Sequence, residues 1–198
     1  MELSKSDRSN TIRFMWEIAQ IPVTDLLLDS ANPRLGTDQP DQQRTMLELI
    51  LDREDQTLNL AEDIVNQASL DPTAPIVVVA TGDRRKRYKV IEGNRRVLAL
   101  KALETPSLVS VKLTPKQIRR LNELSRRYAR SPLDEVTCVL FDTEEEAEHW
   151  IRLRHTGQNE GRGLVAWGPS SRIATTPAGM ASASPWVRCL SSLRSTAT

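Results

Sequence analysis

Apolar positions change period several times along this chain, and each change marks an expected element. Ile76-Val-Val-Val-Ala80 is a β-branched run of the kind a buried strand uses. Thr81 to Arg87 is polar and turn-like. Tyr88-Lys-Val-Ile91 returns to apolar character, so the two runs are expected to pair as a hairpin. Met46, Leu47, Ile50 and Leu51 recur at helical spacing, and Leu60, Ala61, Ile64, Val65 and Ala68 form a second helical face from about Leu58. A helix over 94–103 follows the hairpin. Leu108 to Leu113 alternates like a strand. Thr114-Pro115 opens a helix that runs to about Tyr128, with the threonine as cap and the proline in the first turn. Val136 to Phe141 reads as a strand. Asp142 to Arg154 reads as a helix with acids at its start and arginines at its end, in the sense the helix dipole favours. At the front, residues 1–20 mix polar residues with Ile12, Phe14, Met15, Trp16 and Ile18, as in a short amphipathic helix. Ile21 to Asp29 reads as an extended entry and Ser30 to Gly36 as a loop.

Past Gly168 the pattern stops. Residues 169–198 hold no Asp, Glu or Lys, about half are Ser, Thr or Ala, and apolar periodicity vanishes. That composition predicts a disordered tail. Its abrupt onset also fits a reading-frame change in the gene, which translating the other frames past codon 168 would test.

Composition adds limits. The 198 residues suffice for one domain with a real core. Hydrophobic residues make up 39% and charged residues 27%, with a formal net charge of +1, so nucleic-acid binding would need a local patch. Cys138 and Cys189 lie far apart without metal-ligand spacing, and Cys138 sits in an apolar run as a small buried hydrophobe would. No apolar stretch reaches the ~20 residues that span a bilayer, and the first residues lack a signal peptide's apolar core. The expected location is the cytoplasm, with no membrane partner.

The richest chemistry lies in Tyr88 to Leu103, a strand, one glycine, a turn with two arginines, and a helix. Such a strand-to-helix turn aims free helix N–H groups at one spot, and Arg95 and Arg96 add guanidinium forks beside it. Together they favour an anion, above all a phosphate. The competing reading is a tight turn at Gly93 with solvated or acid-paired arginines. A second basic element, Arg84, Arg85, Lys86 and Arg87, occupies the hairpin turn. With Arg119, Arg120, Arg126, Arg127 and Arg130 it would form a nucleic-acid-facing strip, or else a solvated turn that discourages edge pairing. His155 is placed as a helix C-terminal residue ahead of a Gly157 cap. No metal site follows from His149 and His155.

On these residues the stretch from Ile21 to about Leu113 resembles the ParB/sulfiredoxin superfamily. The resemblance is carried by Ile21-Pro-Val-Thr-Asp-Leu26, by Asn32-Pro-Arg34, by the hairpin, and by Val90-Ile-Glu-Gly-Asn-Arg-Arg-Val-Leu-Ala-Leu100, which is similar to the Gly-x-Arg-Arg box of ParB N-terminal domains. Arg154 to Trp167 also looks like the end of certain bacterial ParB-like proteins. The resemblance implies an α/β (α+β) fold, a mixed sheet with flanking helices, over 21–113. The N-terminal segment 1–20, an α/β extension over 114–168 and the tail 169–198 complete the organisation. It further implies a nucleotide-binding module for CTP or ATP with Mg²⁺, in which Gly93, Asn94, Arg95 and Arg96 hold phosphates and Asn32 and Arg34 stand nearby. A nucleotide-gated, DNA-associated factor, with DNA and a homodimer as partners, is one use of that pocket. A nucleoside triphosphatase, an amino-acid kinase, a nuclease and an inactive adaptor are others, because a fold does not choose its chemistry.

Departures from the family narrow the choice. Asn94 occupies the place of the sulfiredoxin cysteine, which argues against sulfinic-acid reduction. No second recognition helix follows the box, which argues against operator reading. Glu92, before the glycine, is the candidate catalytic residue, as metal holder or proton acceptor; a salt bridge to Arg95 or Arg96 is its alternative.

Overall fold

Four consecutive β-branched or aliphatic residues, Ile76 to Val79, are all buried, because helices cover both faces of the strand that carries them. The structure is a computed structural model and describes residues 16–32, 35–157, 160, 162 and 163. Most of the N-terminal segment, Pro33, Arg34 and the whole expected tail lie outside the described residues.

The strands are β1 (Trp16–Pro22), β2 (Leu26–Leu28), β3 (Ile76–Ala80), β4 (Tyr88–Glu92) and β5 (Glu135–Phe141). They form one mixed sheet in the order β1-β5-β3-β4-β2. The β3–β4 and β1–β5 pairs are antiparallel, while β3–β5 and β2–β4 are parallel. The expected hairpin is therefore present. The fold is mixed α/β, five strands with five α-helices. Strand β5, from the stretch expected as an extension, occupies an interior place between β1 and β3.

The helices are α1 (Gln42–Asp52), α2 (Glu54–Gln67), α3 (Asn94–Glu104), α4 (Pro115–Tyr128) and α5 (Glu144–His155). Strand side chains alternate between two layers. Val78, Val90, Val136 and Cys138 point into the main core with Ile50, Leu58, Ile64, Leu98, Leu103 and Leu121 from α1 to α4. Val77, Val79 and Phe141 point the other way, onto Ala147 of α5. Helix α3 is buried nearly all round, including Val97 to Leu100, Ala102 and Leu103. Its polar residues Arg95 and Glu104 reach solvent only near the two ends.

Local signals explain most boundaries. Asp41 caps α1 through Arg44 N–H at 2.8 Å. Thr114 and Gln117 form a reciprocal capping box at α4. Thr143 caps α5, whose first turn is Glu144, Glu145 and Glu146 and whose last turn holds Arg152, Arg154 and His155. Lys89 Nζ clamps α5 to the sheet, 2.9 Å from Glu144 and 3.2 Å from Asp29 at the end of β2. Partial burial opposes its charge, but the two carboxylates outweigh that and hold the ammonium above the usual lysine range.

Two expectations are corrected. Residues 16–20 are strand, not helix, because the edge of β5 offers them a ladder from Trp16↔Phe141 to Ile21↔Val136. Leu108 to Leu113 is not a strand. Pro106–Leu108 and Ser110–Lys112 are 3-10 turns, in which Leu108, Val109, Lys112 and Leu113 donate to carbonyls three residues back. This stretch joins α3 to α4 on the helical layer, where no strand edge is in reach. Helix α2 also begins earlier than its apolar face implied, at Glu54, directly after a break at Arg53.

Candidate functional site

Strand β4 ends at Glu92, and a single residue turns the chain into α3. Gly93 makes that turn with φ 99° and ψ 15°, a conformation that disfavours side chains. Space for one is also tight. A Cβ on Gly93 would lie 3.1 Å from Arg96 Nη2 and 3.2 Å from Ile76 Cγ1. The guanidinium of Arg96 therefore folds back over the start of its own helix and rests on the glycine. As the residue before the helix, Gly93 offers no side-chain cap to the first N–H groups, which are the groups a helix leaves without intrahelical partners.

Around this turn opens a cleft of about 770 Å³, lined by Asn32, Asp63, Asp71, Glu92 to Arg96 and His155, with Leu60, Ala74, Ile91 and Ile151 as apolar wall. That size is ordinary for a small-molecule site. Arg96 is a half-buried cation of the cleft, with its side chain 12% exposed. Nη2 is 3.5 Å from Glu92 Oε1, a long contact, and Nη1 is buried with no hydrogen-bond partner. Burial pulls this guanidinium below the usual arginine range, and Glu92 only partly offsets it. Arg95 is different. It is exposed and donates from Nη1 to Gln56 Oε1 of α2 at 2.9 Å.

The other expected site residues divide by what their polar atoms already do. Asn94 is buried, and its amide accepts from Asp29 N–H at 2.9 Å and donates to Val90 C=O at 3.0 Å. Its side chain holds the framework, and its backbone belongs to the helix start. Asn32 lines the cleft, and its C=O accepts from Leu35 N–H. Arg34 lies outside the described residues. Glu92 uses both oxygens: Oε1 faces Arg96, and Oε2 is 2.9 Å from His155 Nε2.

His155 is the residue that sequence reasoning placed elsewhere. It does close α5, as expected, yet it also reaches across to the end of β4. Nothing in the linear sequence links positions 92 and 155; only the packing of α5 beside β4 does. Asp63 and Asp71 were likewise not singled out. Asp71 accepts from the N–H and hydroxyl of Thr73 at 2.8 and 2.7 Å. Those bonds, with the charges of Arg96 and Arg154, hold its carboxyl below the usual aspartate range.

Among the described residues, no group of three or more His, Cys, Asp or Glu side chains is arranged to hold a metal ion. No described helix is long and apolar enough to cross a membrane. The two basic elements also differ. Arg87 is bound to Asp83 at 2.6 Å within the hairpin turn, which leaves Arg84, Arg85 and Lys86 as its remaining cations. That turn is at the far end of β4, roughly 20 Å from Gly93 at the usual rise per strand residue. On α4, Arg120 pairs with Glu62 at 2.6 Å and Asn59 at 2.8 Å, and Arg127 donates to Asn66 at 2.6 Å. These arginines brace α4 against α2.

No protein-family model matches this chain, and no curated protein matches it significantly.

Proposed function

We propose that the cleft at the start of α3 binds the phosphate groups of a Mg²⁺-nucleoside triphosphate, CTP or ATP, as the ParB/sulfiredoxin resemblance implies. The observation that carries this reading is Arg96, a guanidinium nearly out of solvent whose Nη1 has no partner and whose one carboxylate contact is long. A buried charge with an incomplete partner set is costly, and an anion in the cleft is what would complete it. Gly93 supports the same reading, since it removes both the cap and the Cβ that would stand between a ligand and the helix N–H groups.

The carboxylates of Asp63, Asp71 and Glu92 share the cleft. They would repel a bare phosphate, whereas a nucleotide that carries its own Mg²⁺ brings cation and anion together. Binding should therefore depend on Mg²⁺. For a DNA-associated role the hairpin turn offers Arg84, Arg85 and Lys86, whereas Arg120 and Arg127 of α4 are already engaged with α2.

Calorimetric titration of CTP, ATP, GTP and UTP, each with and without Mg²⁺, tests the proposal. One of the four should bind with Mg²⁺, and Arg96→Ala should weaken it by about 1.5–3 kcal/mol, the worth of a charge-assisted hydrogen bond. If none binds at protein concentrations that detect a dissociation constant of ~0.1 mM, or if Arg96→Ala binds as well as the parent, the proposal fails.

A further inference from the structure

Glu92 Oε2 and His155 Nε2 lie 2.9 Å apart at the wall of the cleft. A carboxylate accepts hydrogen bonds and does not donate them, so Glu92 Oε2 accepts from Nε2–H, and in that tautomer the ring's lone pair is on Nδ1. A carboxylate-held imidazole with a free lone pair is the usual arrangement of a general base. Glu92 itself is poorly suited to that task here, because its other oxygen faces Arg96 and both are occupied. The helix-dipole role of a terminal histidine gives no reason for the ring to meet Glu92, 63 residues earlier in the chain.

We infer that His155 is the general base of nucleoside triphosphate hydrolysis in this cleft and that Glu92 is its positioning residue. The inference rests on the nucleotide reading given above. Nδ1 of His155 takes a proton from water as the water oxygen bonds to the γ-phosphorus. The bond from that phosphorus to the β–γ bridging oxygen breaks, and the leaving nucleoside diphosphate carries away the electron pair. Arg96 faces the phosphoryl oxygens while this happens, where a fixed cation counts most in a transition state of spread negative charge. The charged side chains that line the cleft with His155 are Glu92 of β4, Arg95 and Arg96 of α3, Asp63 of α2 and Asp71 before β3.

The test measures binding and turnover on the same full-length protein. Each Mg²⁺-nucleoside triphosphate is titrated by calorimetry, and inorganic phosphate release is followed in ¹⁸O-water, so that label in the phosphate reports attack by water. The parent should hydrolyse the nucleotide it binds. His155→Gln should lower kcat by roughly 100-fold or more and leave Kd within about threefold. Glu92→Gln keeps the ring but loosens it, and should lower kcat by roughly tenfold with melting temperature close to the parent's. Binding without hydrolysis by the parent overturns this inference and leaves the nucleotide reading standing. Hydrolysis by His155→Gln at the parental rate overturns it as well. Absence of binding by all four nucleotides overturns both.

Discussion

The amide of Asn94 joins Asp29 to the start of α3: its Oδ1 accepts the Asp29 N–H at 2.9 Å, while its Nδ2 donates to Val90 C=O at 3.0 Å. One buried side chain thus ties the end of β2, the body of β4 and the helix that carries Arg96. Asn94→Ala strands a buried donor and a buried acceptor. Unsatisfied groups of this kind cost about 1–3 kcal/mol each, so the variant should lose at least about 2 kcal/mol and melt several degrees lower. Thermal unfolding monitored by circular dichroism checks this. An unchanged melting temperature would mean that water replaces both partners freely.

Gly93→Ala should do two things at once. The left-handed backbone penalises a side chain by about 1–2 kcal/mol, and the new methyl would meet Arg96 Nη2 at 3.1 Å. The guanidinium then has to shift by a few tenths of an ångström. Chemical denaturation should report the stability loss, and triphosphate affinity should fall by more than that loss alone explains. Equal affinity in a destabilised variant would show that Arg96 adapts without cost.

Much of this fold was legible because its signals are local. Thr114 and Pro115 announce α4 in two residues, and the acid-to-base gradient of α5 needs no partner to be read. The hairpin from Ile76 to Glu92 is local too. What escaped depends on distant contacts. Strand β1 exists because β5, more than a hundred residues later, lies beside it, and Trp16 and Ile18 remain exposed, so no alternation betrays it. Leu108 to Leu113 alternates without a sheet edge to join. In the candidate site, Gly93 to Arg96 form a contiguous string whose glycine and guanidinium groups can be read directly. His155, Asp63 and Asp71 reach the cleft only through the packing of α5, α2 and the loop before β3.

Cys138 should be inert. It is fully buried in the main core, and burial pushes its thiol up to about 12. At pH 8 about one molecule in ten thousand would carry the reactive thiolate. In a Cys189→Ser protein, a thiol-reactive disulfide reagent should therefore leave Cys138 unmodified under native conditions and titrate one thiol in denaturant. Rapid native reaction would mean that the sheet opens around β5 far more often than its packing implies.

Arg96 offers the sharpest separation of stability from function. If its partly satisfied guanidinium is kept for a ligand, the unliganded protein bears the cost of holding it out of water. Replacing a buried ion by an apolar side chain of similar length is often neutral, or stabilising by about 1–4 kcal/mol. Arg96→Met should accordingly match or exceed the parent in melting temperature while binding triphosphate at least tenfold more weakly. Glu92 keeps His155 as a partner in that variant, which limits the charge left alone. The opposite pattern, a large loss of stability with affinity intact, would make Arg96 a structural brace of the β4–α3 turn and remove it from the ligand's path.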